Sequence, residues 1–557
     1  GIETAGILNI LFSDKTGTIT KGQLEAVVFV DGKGKQYNNY EAVEGELKKL
    51  LSLSIHQNTN AMITTHDNKT KIIGGNATER AILGFAVNDA YEGVEKIHSI
   101  PFNSDNKYSA THVHGDYHLT LIKGAPERII NKCKYYFDES GQKQELSNMK
   151  AIDDQIDALA NRAIRVLALA VTDSELEEEG LPEGDWTLVG VIGIRDEVRP
   201  ESIEAIAEVQ NAGVQVVMIT GDRKDTAVAI AKEAGLLKDE KDIVLTSDEL
   251  QGLDDDKLKE MLPNIKVIAR ALPSDKSRLV RVAQELNMVV GMTGDGVNDS
   301  PALKKADVGF AMGGGTEVAK EASDIVIMDD NFSSIDKAIL YGRTIFNSIR
   351  KFIIFQLTIN VTAVLISFVA PLVGMDNPLS ITQILWVNLV MDTLAALAFG
   401  GEPALKRFMK EKPKRRDENI VSGYMWSSIL TGSLWVFALS LFMLLTPFAK
   451  DMFRPDAGNK YLLTGYFAFF IFAAVFNAFN ARTDKLNLLE NIGQNRGFIR
   501  VILLITVVQV LMTYLGGVIL RCFGLTINEW LFVILAAVTI IPIDLIRKII
   551  TGSKSNA

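Results

Sequence analysis

The sequence has few cysteines, no excess of positive charge and, over its first 336 residues, no long apolar run. Its two cysteines, Cys133 and Cys522, lie far apart in a chain of 557 residues, which excludes a disulfide framework and the paired-cysteine spacing of a structural zinc site. The formal net charge of −10 argues against a basic nucleic-acid-binding surface, so we expect no nucleic-acid partner. From about residue 345 apolar runs dominate, and the sequence predicts a soluble half followed by a membrane half.

The chain also begins without an initiator methionine or a signal peptide. It opens at Gly1, only a few residues before its most informative motif. We therefore expect the sequence to be part of a longer protein.

Three of the six histidines, His112, His114 and His118, lie close together in the sequence. Such a group is compatible with a metal site. The alternation of polar and apolar residues around Val113 is also typical of the polar face of a β-strand, and this is the interpretation that we favour.

One motif near the start, Asp14-Lys15-Thr16-Gly17-Thr18, organises the rest of the chain. The apolar run 7–12 before it, interrupted only by Asn9, predicts a buried parallel strand. Asp14 then lies at the carboxyl end of that strand, where open α/β sheets bind their ligands. A carboxylate beside a lysine and an amide-rich turn suits a nucleophile that attacks phosphorus, because both neighbours offset phosphoryl negative charge.

Other apolar runs of the soluble half also end in polar residues. The runs 187–194, 214–219, 265–269 and 288–292 are followed by Arg195-Asp196, Thr220-Gly221-Asp222, Arg270 and Thr293-Gly294-Asp295-Gly296-Val297-Asn298-Asp299. Helical patterns lie between them, which predicts a doubly wound parallel sheet with these polar residues at one edge.

The residue types at these strand ends suit phosphoryl transfer from ATP. Asp14 would attack the γ-phosphate, and Lys276 would offset the negative charge that grows during transfer. Thr220 can hydrogen-bond phosphoryl oxygens, while Gly221 lets the backbone approach them closely.

The same edge offers ligands for Mg²⁺. Asp14 and Asp295 supply the hard carboxylate oxygens that Mg²⁺ prefers. Asn298 and Asp299 follow on the same turn and can position the metal's surroundings.

The long segment after the Asp14 motif has residue types that a nucleotide requires. Phe102 could stack on adenine, and Lys107, Lys123 and Arg165 could neutralise phosphates. The alternative is that Phe102 is an ordinary core residue and the lysines form a solvated face.

In this order, these motifs resemble those of P-type ATPases, and the resemblance covers the whole chain. The matching sequences are Asp14-Lys15-Thr16-Gly17-Thr18, Lys123-Gly124-Ala125, Asp196-Glu197-Val198-Arg199, Thr220-Gly221-Asp222 and Thr293-Gly294-Asp295-Gly296-Val297-Asn298-Asp299. The resemblance implies an α/β haloacid-dehalogenase-like P domain, an inserted α+β nucleotide-binding N domain and an all-α transmembrane bundle of six helices. The implied boundaries are 1–21 and 193–338 for the P domain, 22–192 for the N domain and 339–557 for the transmembrane domain.

The resemblance and the residue types together predict the following site. The catalytic residues are Asp14, Lys15, Thr16, Thr220, Gly221, Asp222, Lys276, Asn298 and Asp299. The nucleotide-binding residues are Glu79, Phe102, Lys107, Lys123, Gly124, Arg165, Arg199 and Arg270. The Mg²⁺ ligands are Asp14, Thr16 and Asp295.

The membrane half has about six apolar stretches of spanning length. They lie near 345–370, 380–400, 424–447, 461–481, 498–520 and 527–549. The basic segment 406–416 and the pair Arg547-Lys548 belong on the cytoplasmic side of a lipid bilayer, which would place the ATP-binding half in the cytoplasm.

Polar residues inside these stretches predict an ion site. Asn388 and Asp392 are spaced i and i+4 and should share one helix face. Amide and carboxylate oxygens are hard ligands that suit Ca²⁺. Asn360 is a further predicted ligand, although it, like Asn477, could instead hydrogen-bond between helices.

The segments 355–361 and 385–392 resemble calcium pumps, especially those of plasma-membrane type. The sarcoplasmic-reticulum type, which binds two ions, has acidic side chains at the position of Ala363 and near Ala474, so the resemblance implies a single Ca²⁺ site here. We expect an ATP-driven pump that forms an aspartyl phosphate and exports Ca²⁺ from the cytoplasm. The alternatives are a P-type pump for Na⁺, K⁺ or Mn²⁺, a membrane-anchored haloacid-dehalogenase-type phosphatase, or a non-catalytic partner subunit.

The family's actuator domain and first four membrane spans have no counterpart in this sequence. We expect them in the missing N-terminal part, and we expect no other obligate protein partner. The sequence ends soon after its last span, without the regulatory tail of animal plasma-membrane pumps, so we expect a bacterial plasma membrane as its location.

Overall fold

The computed structural model describes residues 1–66, 69–103, 105–177 and 180–555. Its chain divides into two compact units. The first unit is Leu8–Lys337, and the second unit is Gly1–Ile7 together with Ala338–Ala557.

The strands and helices are numbered in chain order. The strands are β1 (Ile10–Asp14), β2 (Thr20–Val30), β3 (Gln36–Tyr37), β4 (Ala61–His66), β5 (Lys69–Gly74), β6 (Val94–Asn103), β7 (Tyr108–Gly115), β8 (Leu119–Gly124), β9 (Cys133–Phe137), β10 (Lys143–Glu145), β11 (Arg165–Thr172), β12 (Trp186–Val198), β13 (Gln215–Ile219), β14 (Ile243–Thr246), β15 (Ile265–Ala269), β16 (Val290–Gly294), β17 (Val308–Met312) and β18 (Ile325–Ile327). The α-helices are α1 (Ile2–Ala5), α2 (Gly45–Gln57), α3 (Ala77–Phe85), α4 (Pro126–Ile129), α5 (Lys150–Ala160), α6 (Pro200–Asn211), α7 (Lys224–Ala234), α8 (Ser247–Gln251), α9 (Asp255–Met261), α10 (Pro273–Glu285), α11 (Ser300–Lys305), α12 (Glu317–Ala322), α13 (Phe332–Leu372), α14 (Ile381–Trp386), α15 (Asp392–Gly400), α16 (Gly423–Leu445), α17 (Pro447–Lys450), α18 (Lys460–Arg482), α19 (Arg496–Leu515), α20 (Gly517–Leu520), α21 (Ile527–Val538) and α22 (Ile540–Ser555).

The first unit contains a parallel sheet of seven strands, in the order β14-β15-β13-β1-β16-β17-β18. The central strand β1 pairs with β13 on one side and β16 on the other, and Asp14 lies opposite Ile219 in this register. Phe12 is fully buried in a cluster that the flanking helices complete. The predicted doubly wound sheet is confirmed, and its central strand ends at the proposed nucleophile.

The prediction that run 187–194 belongs to this sheet was wrong. That run lies in β12, which continues to Val198 and pairs antiparallel with β2 and β11. Val189 and Ile192 pack on one face of β12, whereas Leu188 and Val191 pack on the other. A strand covered on both faces has an unbroken apolar run, so its sequence looks like that of a parallel strand.

The second sheet of this unit has nine strands and is mainly antiparallel. Its path is β10-β9-β12-β11-β8-β7-β6, and β2 and β3 extend from β12. Helices α2 and α3 contribute to the core on one face, and α4 and α5 contribute to the core on the other. This is the α+β layer that the sequence predicted after the Asp14 motif.

Among the residues that the structure describes, six helices are long and apolar enough to cross a membrane. They are Phe332–Leu372, Ile381–Gly400, Gly423–Leu445, Lys460–Arg482, Arg496–Leu515 and Ile527–Gly552. Each corresponds to one of the six predicted stretches. Within the second unit, α18 packs against α16, α19, α21 and α22 and is the most enclosed of the six.

Candidate active site

The nucleophile candidate Asp14 ends β1 and is followed by a wide turn, Lys15–Ile19. Gly17 has φ +79° in this turn, a conformation that side-chain-bearing residues rarely adopt. The Arg199 guanidinium holds the turn from outside, since its Nη2 donates to the Gly17 carbonyl at 3.2 Å and its Nε to the Thr20 carbonyl at 3.1 Å. Arg199, predicted to bind nucleotide, therefore positions the backbone that follows Asp14.

A lysine from helix α10 lies directly on the nucleophile. Lys276 Nζ is 2.6 Å from Asp14 Oδ1 and 2.7 Å from Asp299 Oδ1. The buried Asp275 carboxylate accepts from the Leu272 amide at 2.8 Å and fixes the first turn of this helix. The sequence prediction included Lys276 but missed Asp275, which anchors the turn that carries it.

The turn after β16 supplies the remaining carboxylates. Asp299 Oδ2 accepts from the backbone amides of Asp295 at 3.1 Å and Gly296 at 3.0 Å. The amide of Asp14 donates to Thr293 Oγ1 at 2.8 Å. Thr293 was part of the predicted motif but not of the predicted site, and it ties β16 to the nucleophile.

Charge and burial perturb this cluster strongly. Burial raises the pKa of Asp14 to about 6, with Asp299 and Asp295 adding to the rise and Lys276 opposing it. Burial also raises the pKa of Asp295, and Asp299 adds to that effect. For Lys276, burial acts to lower the pKa, but the carboxylates of Asp14 and Asp299 outweigh it and raise the pKa. Three carboxyl groups, of Asp14, Asp295 and Asp299, thus lie close together, and Lys276 partly offsets their charge.

The arrangement fits a hard divalent cation. One carboxylate oxygen from each of Asp14, Asp295 and Asp299 lies within 4.8 Å of the others. Both oxygens of Asp299 already accept hydrogen bonds, so this residue serves mainly to position the other two. Asp14 and Asp295 remain as the carboxylates best placed to bind Mg²⁺, and their role as ligands stays a prediction. Thr16, the third predicted ligand, has an exposed side chain next to Gly17.

The turn after β13 forms the other side of the site. Asp222 Oδ2 is 2.7 Å from Lys15 Nζ, an ion pair that ties this turn to the nucleophile motif. The Thr220 hydroxyl oxygen accepts from the Asp222 amide at 3.1 Å. A Cβ added to Gly221 would meet no atom within 4 Å, so open space lies beside its backbone. The amide of Arg270 donates to the Asp222 carbonyl at 2.9 Å.

The predicted nucleotide-binding residues lie on the nine-stranded sheet. Ser109 pairs with Lys123, and Lys123 pairs with Leu169, so these three side chains share one face. By strand alternation Arg165 lies on the same face. Phe102 lies on β6, in a stretch where a bulge between Ile100 and Asn103 breaks the alternation. Phe102 is 46% exposed, as a stacking surface requires.

Lys123 is the most perturbed residue on this face. Its ammonium donates to the carbonyl oxygen of Asn58 at 2.6 Å. Burial lowers the pKa of Lys123 to about 8, although Glu79 opposes the change. Gly124 follows, and a Cβ there would come within 2.5 Å of the Lys107 carbonyl, so only glycine fits this crossing. Asn58 was not predicted as part of this site.

Glu79 has a structural role at the start of α3. It is buried, and its Oε2 accepts from the Asn76 amide at 2.9 Å while Asn76 caps the Glu79 amide. Its other oxygen accepts from the Asn60 amide at 3.3 Å. Glu79 therefore fixes the helix that packs on the Lys123 face.

In the membrane-spanning segments, the structure separates two predicted ligands. Asp392 is buried at the start of α15, where its Oδ2 accepts from Gln356 Nε2 of α13 at 3.2 Å. Its Oδ1 is buried without a hydrogen-bond partner among the described residues. Gln356 was not predicted as a site residue. A buried carboxylate oxygen without a partner is costly, and a bound cation would satisfy it.

Asn388 lies in different surroundings. It is exposed, and with Asn360 it lines a cavity of about 640 Å³ that Asp392 does not line. Asn388 lies within a π-helical turn, Val387–Met391, that ends just before Asp392. The i, i+4 spacing therefore does not give the two side chains common neighbours.

Three segments of the chain match known protein families. Residues 46–201 match the family described as P-type ATPase, cytoplasmic domain N, residues 278–339 match haloacid dehalogenase-like hydrolase, and residues 376–550 match cation transporting ATPase, C-terminus.

Curated relatives match nearly the whole chain. A putative plasma-membrane-type calcium-transporting ATPase 11 of Arabidopsis thaliana is 37% identical over 96% of this chain and 54% of its own length. A plasma-membrane-type calcium-transporting ATPase 1 of Oryza sativa is 36% identical over 98% of this chain and 55% of its own length. The chain thus spans about half the length of the curated relatives it matches, and their plant origin lends no support to the predicted bacterial location.

These matches run through both the sheet that carries Asp14 and the apolar helices that follow it. The chain is therefore an integral membrane protein that belongs to the P-type ATPases, with plasma-membrane-type calcium-transporting ATPases among its relatives.

Proposed function

We propose that this chain supplies the nucleotide-binding, phosphorylation and C-terminal membrane parts of an ATP-driven Ca²⁺ pump. The observation that carries the proposal is the contact of Lys276 with both Asp14 and Asp299 at the edge of the parallel sheet. That geometry suits formation of an aspartyl phosphate, and the relatives are named calcium-transporting ATPases.

In the phosphoryl-transfer step, an Asp14 carboxylate oxygen forms a bond to the γ-phosphorus of ATP. The bond from that phosphorus to the β–γ bridging oxygen breaks, and ADP leaves with the bond's electron pair. Lys276 Nζ, 2.6 Å from Asp14 Oδ1, stabilises the charge that develops on the phosphoryl oxygens. The open space beside Gly221 leaves room for the transferring group near the Thr220 hydroxyl.

Mg²⁺ held by Asp14 and Asp295 would neutralise phosphate charge at this edge. Asp299 keeps the Asp295 turn in place through its two amide contacts. The nucleotide base would stack on exposed Phe102. Lys123 and Arg165, which share a face of the same sheet, would bind its phosphates.

In the membrane part, Asp392 is the proposed Ca²⁺ ligand because one of its oxygens is buried without a partner. Asn388 and Asn360 line a cavity that Asp392 does not line, so their amide oxygens would join Asp392 on one Ca²⁺ only in a conformation that brings the three side chains together. The alanines at 363 and 474 support a single site, and the basic segment 406–416 supports a cytoplasmic position for the soluble half.

The test is phosphorylation of the full-length protein by γ-labelled ATP across a panel of cations. Acid-stable labelling that requires Ca²⁺ and disappears in Asp14→Asn is expected. Labelling that is independent of Ca²⁺ but requires Na⁺, K⁺ or Mn²⁺ would indicate another transported ion. Turnover of small phosphate esters without a trapped acyl phosphate would contradict the pump proposal.

A further inference from the structure

A second group of metal-ligating side chains lies on the nine-stranded sheet, whereas Asp14 lies on the seven-stranded sheet. Strands β7 and β8 form a hairpin, and a short segment after β11 lies beside it. The histidine cluster of this hairpin consists of His112, His114, His118 and Glu175. One potential ligand atom from each lies within 4.8 Å of all the others.

The register explains why the histidines converge. His112 and His114 are two residues apart on β7 and share a face, and Thr120 on β8 pairs directly with His112. His118 lies in the turn that joins the strands, and its ring stacks on that of His114 with centroids 3.9 Å apart. This confirms the polar strand face predicted from the alternation around Val113. It also brings together atoms that the sequence alone could not place.

The hydrogen bonds fix which nitrogen of His112 carries a proton. The Thr120 hydroxyl donates its one hydrogen to the Ser174 carbonyl at 2.6 Å. The same hydroxyl oxygen is 2.8 Å from His112 Nδ1, so in this contact Nδ1–H must donate to it. In neutral His112 the lone pair is then on Nε2, which faces the cluster.

This arrangement is the one that metal-binding histidines adopt. A ligating imidazole donates its other N–H to an oxygen that fixes its orientation, as Thr120 does here. Nε2 of His112 and Nε2 of His114 are only 2.9 Å apart. In this contact His114 Nε2–H donates to His112 Nε2. Tetrahedral ligands about 2.0–2.1 Å from zinc are separated by about 3.3–3.4 Å, so small side-chain shifts, with the His114 proton moved to its Nδ1, would place both nitrogens on one ion.

The Ser174 contact also brings in the fourth ligand. Because Thr120 holds the carbonyl of Ser174, the next residue, Glu175, is kept beside the hairpin. His98 lies opposite His112 on β6, and its Nε2 is buried without a hydrogen-bond partner among the described residues. A fifth group able to act as a ligand is therefore next to the cluster.

We propose that the histidine cluster binds one borderline transition-metal ion, of which Zn²⁺ is the best match. Three imidazole nitrogens and one carboxylate oxygen suit Zn²⁺, Ni²⁺ or Co²⁺, whereas Mg²⁺ and Ca²⁺ prefer all-oxygen ligands. The ion would clamp the β7–β8 hairpin to the segment after β11. The site does not depend on the proposed pumping activity, since it shares no residue with the phosphorylation or membrane sites.

The experiment titrates Zn²⁺ into chelator-stripped full-length protein by calorimetry, with excess Mg²⁺ present to occupy the carboxylate site. Co²⁺ in place of Zn²⁺ gives a visible absorption spectrum that reports tetrahedral nitrogen and oxygen ligands. We expect one zinc per chain in the wild type and at least a roughly hundredfold weaker binding in His112→Ala and His114→Ala.

Further variants separate metal binding from other roles of these residues. Thr120→Val should weaken zinc binding about tenfold to a hundredfold, and Thr120→Ser, which keeps the hydroxyl, should restore it. His66→Ala, in the separate β4–β5 sheet, should bind zinc like the wild type. Equal zinc binding in the wild type and His112→Ala would overturn the proposal. So would equal loss in His66→Ala, or a Co²⁺ spectrum typical of water ligands alone. With any of these three results, the cluster would be a hydrogen-bonded histidine network without a bound metal.

Discussion

Replacement of Lys276 by alanine removes the positive charge that faces two carboxylates in the proposed phosphorylation site. Its Nζ lies 2.6 Å from Asp14 Oδ1 and 2.7 Å from Asp299 Oδ1. A donor placed this well contributes about 3–4 kcal/mol to transition-state stabilisation, which corresponds to a rate loss of about a hundredfold to a thousandfold. The pKa of Asp14 should also rise further, because Lys276 now opposes the rise that burial causes.

The assay is rapid-quench measurement of aspartyl-phosphate formation at saturating ATP and Ca²⁺. Lys276→Arg, which keeps the charge but changes its geometry, is the matched control and should lose less. Removal of one member of a buried charge group costs about 3–5 kcal/mol of stability, so nucleotide binding must be measured in parallel. Unchanged nucleotide affinity with slow phosphorylation supports the assignment. A Lys276→Ala protein that binds nucleotide and is phosphorylated at the wild-type rate would refute it.

Three further predictions follow from the geometry. Gly17→Ala should lower the free energy of unfolding by about 1–2 kcal/mol and slow phosphorylation, because Gly17 has φ +79°. Gly221→Ala should leave the thermal unfolding temperature unchanged, because its Cβ meets open space. Equal unfolding temperatures for the two variants would contradict this. ATP affinity, measured by fluorescence, should fall by up to about tenfold per pH unit above about pH 8, because Lys123 loses its proton there. Lys123→Arg should make this affinity independent of pH in the same range. A wild-type protein whose ATP affinity does not fall would argue against a contact between Lys123 and phosphate. Asp392→Asn should raise the Ca²⁺ concentration for half-maximal phosphorylation about tenfold or more without changing ATP affinity, and an unshifted Ca²⁺ titration would remove Asp392 from the ion site.

The parallel sheet and its reactive edge could be predicted because carboxyl ends of neighbouring parallel strands meet at one edge. Asp14, Thr220 and Asp295 each follow an apolar run, and the structure places those runs in adjacent strands β1, β13 and β16. The position of β12 could not be predicted, because burial on both faces removes the alternation that marks an antiparallel strand. What the sequence could supply was the residue type at each strand end.

Contacts between segments that are distant in the chain could not be predicted from the sequence. Gln356 contacts Asp392 from another helix, and Glu175 lies near His112 although the next four strands come between them in the sequence. No spacing rule relates such pairs, since tertiary packing alone sets their distance. The i, i+4 rule also failed to give Asn388 and Asp392 common surroundings, because the π-helical turn Val387–Met391 changes the angular spacing of residues along the helix.

The most direct test of the account is ATP-dependent uptake of labelled Ca²⁺ into sealed vesicles that carry the full-length protein with its ATP-binding half outside. We predict uptake by the wild type and none by Asp14→Asn, which should still bind ATP. Ca²⁺ accumulation by Asp14→Asn at a rate near that of the wild type would contradict the claim that phosphorylation of this aspartate drives the ion.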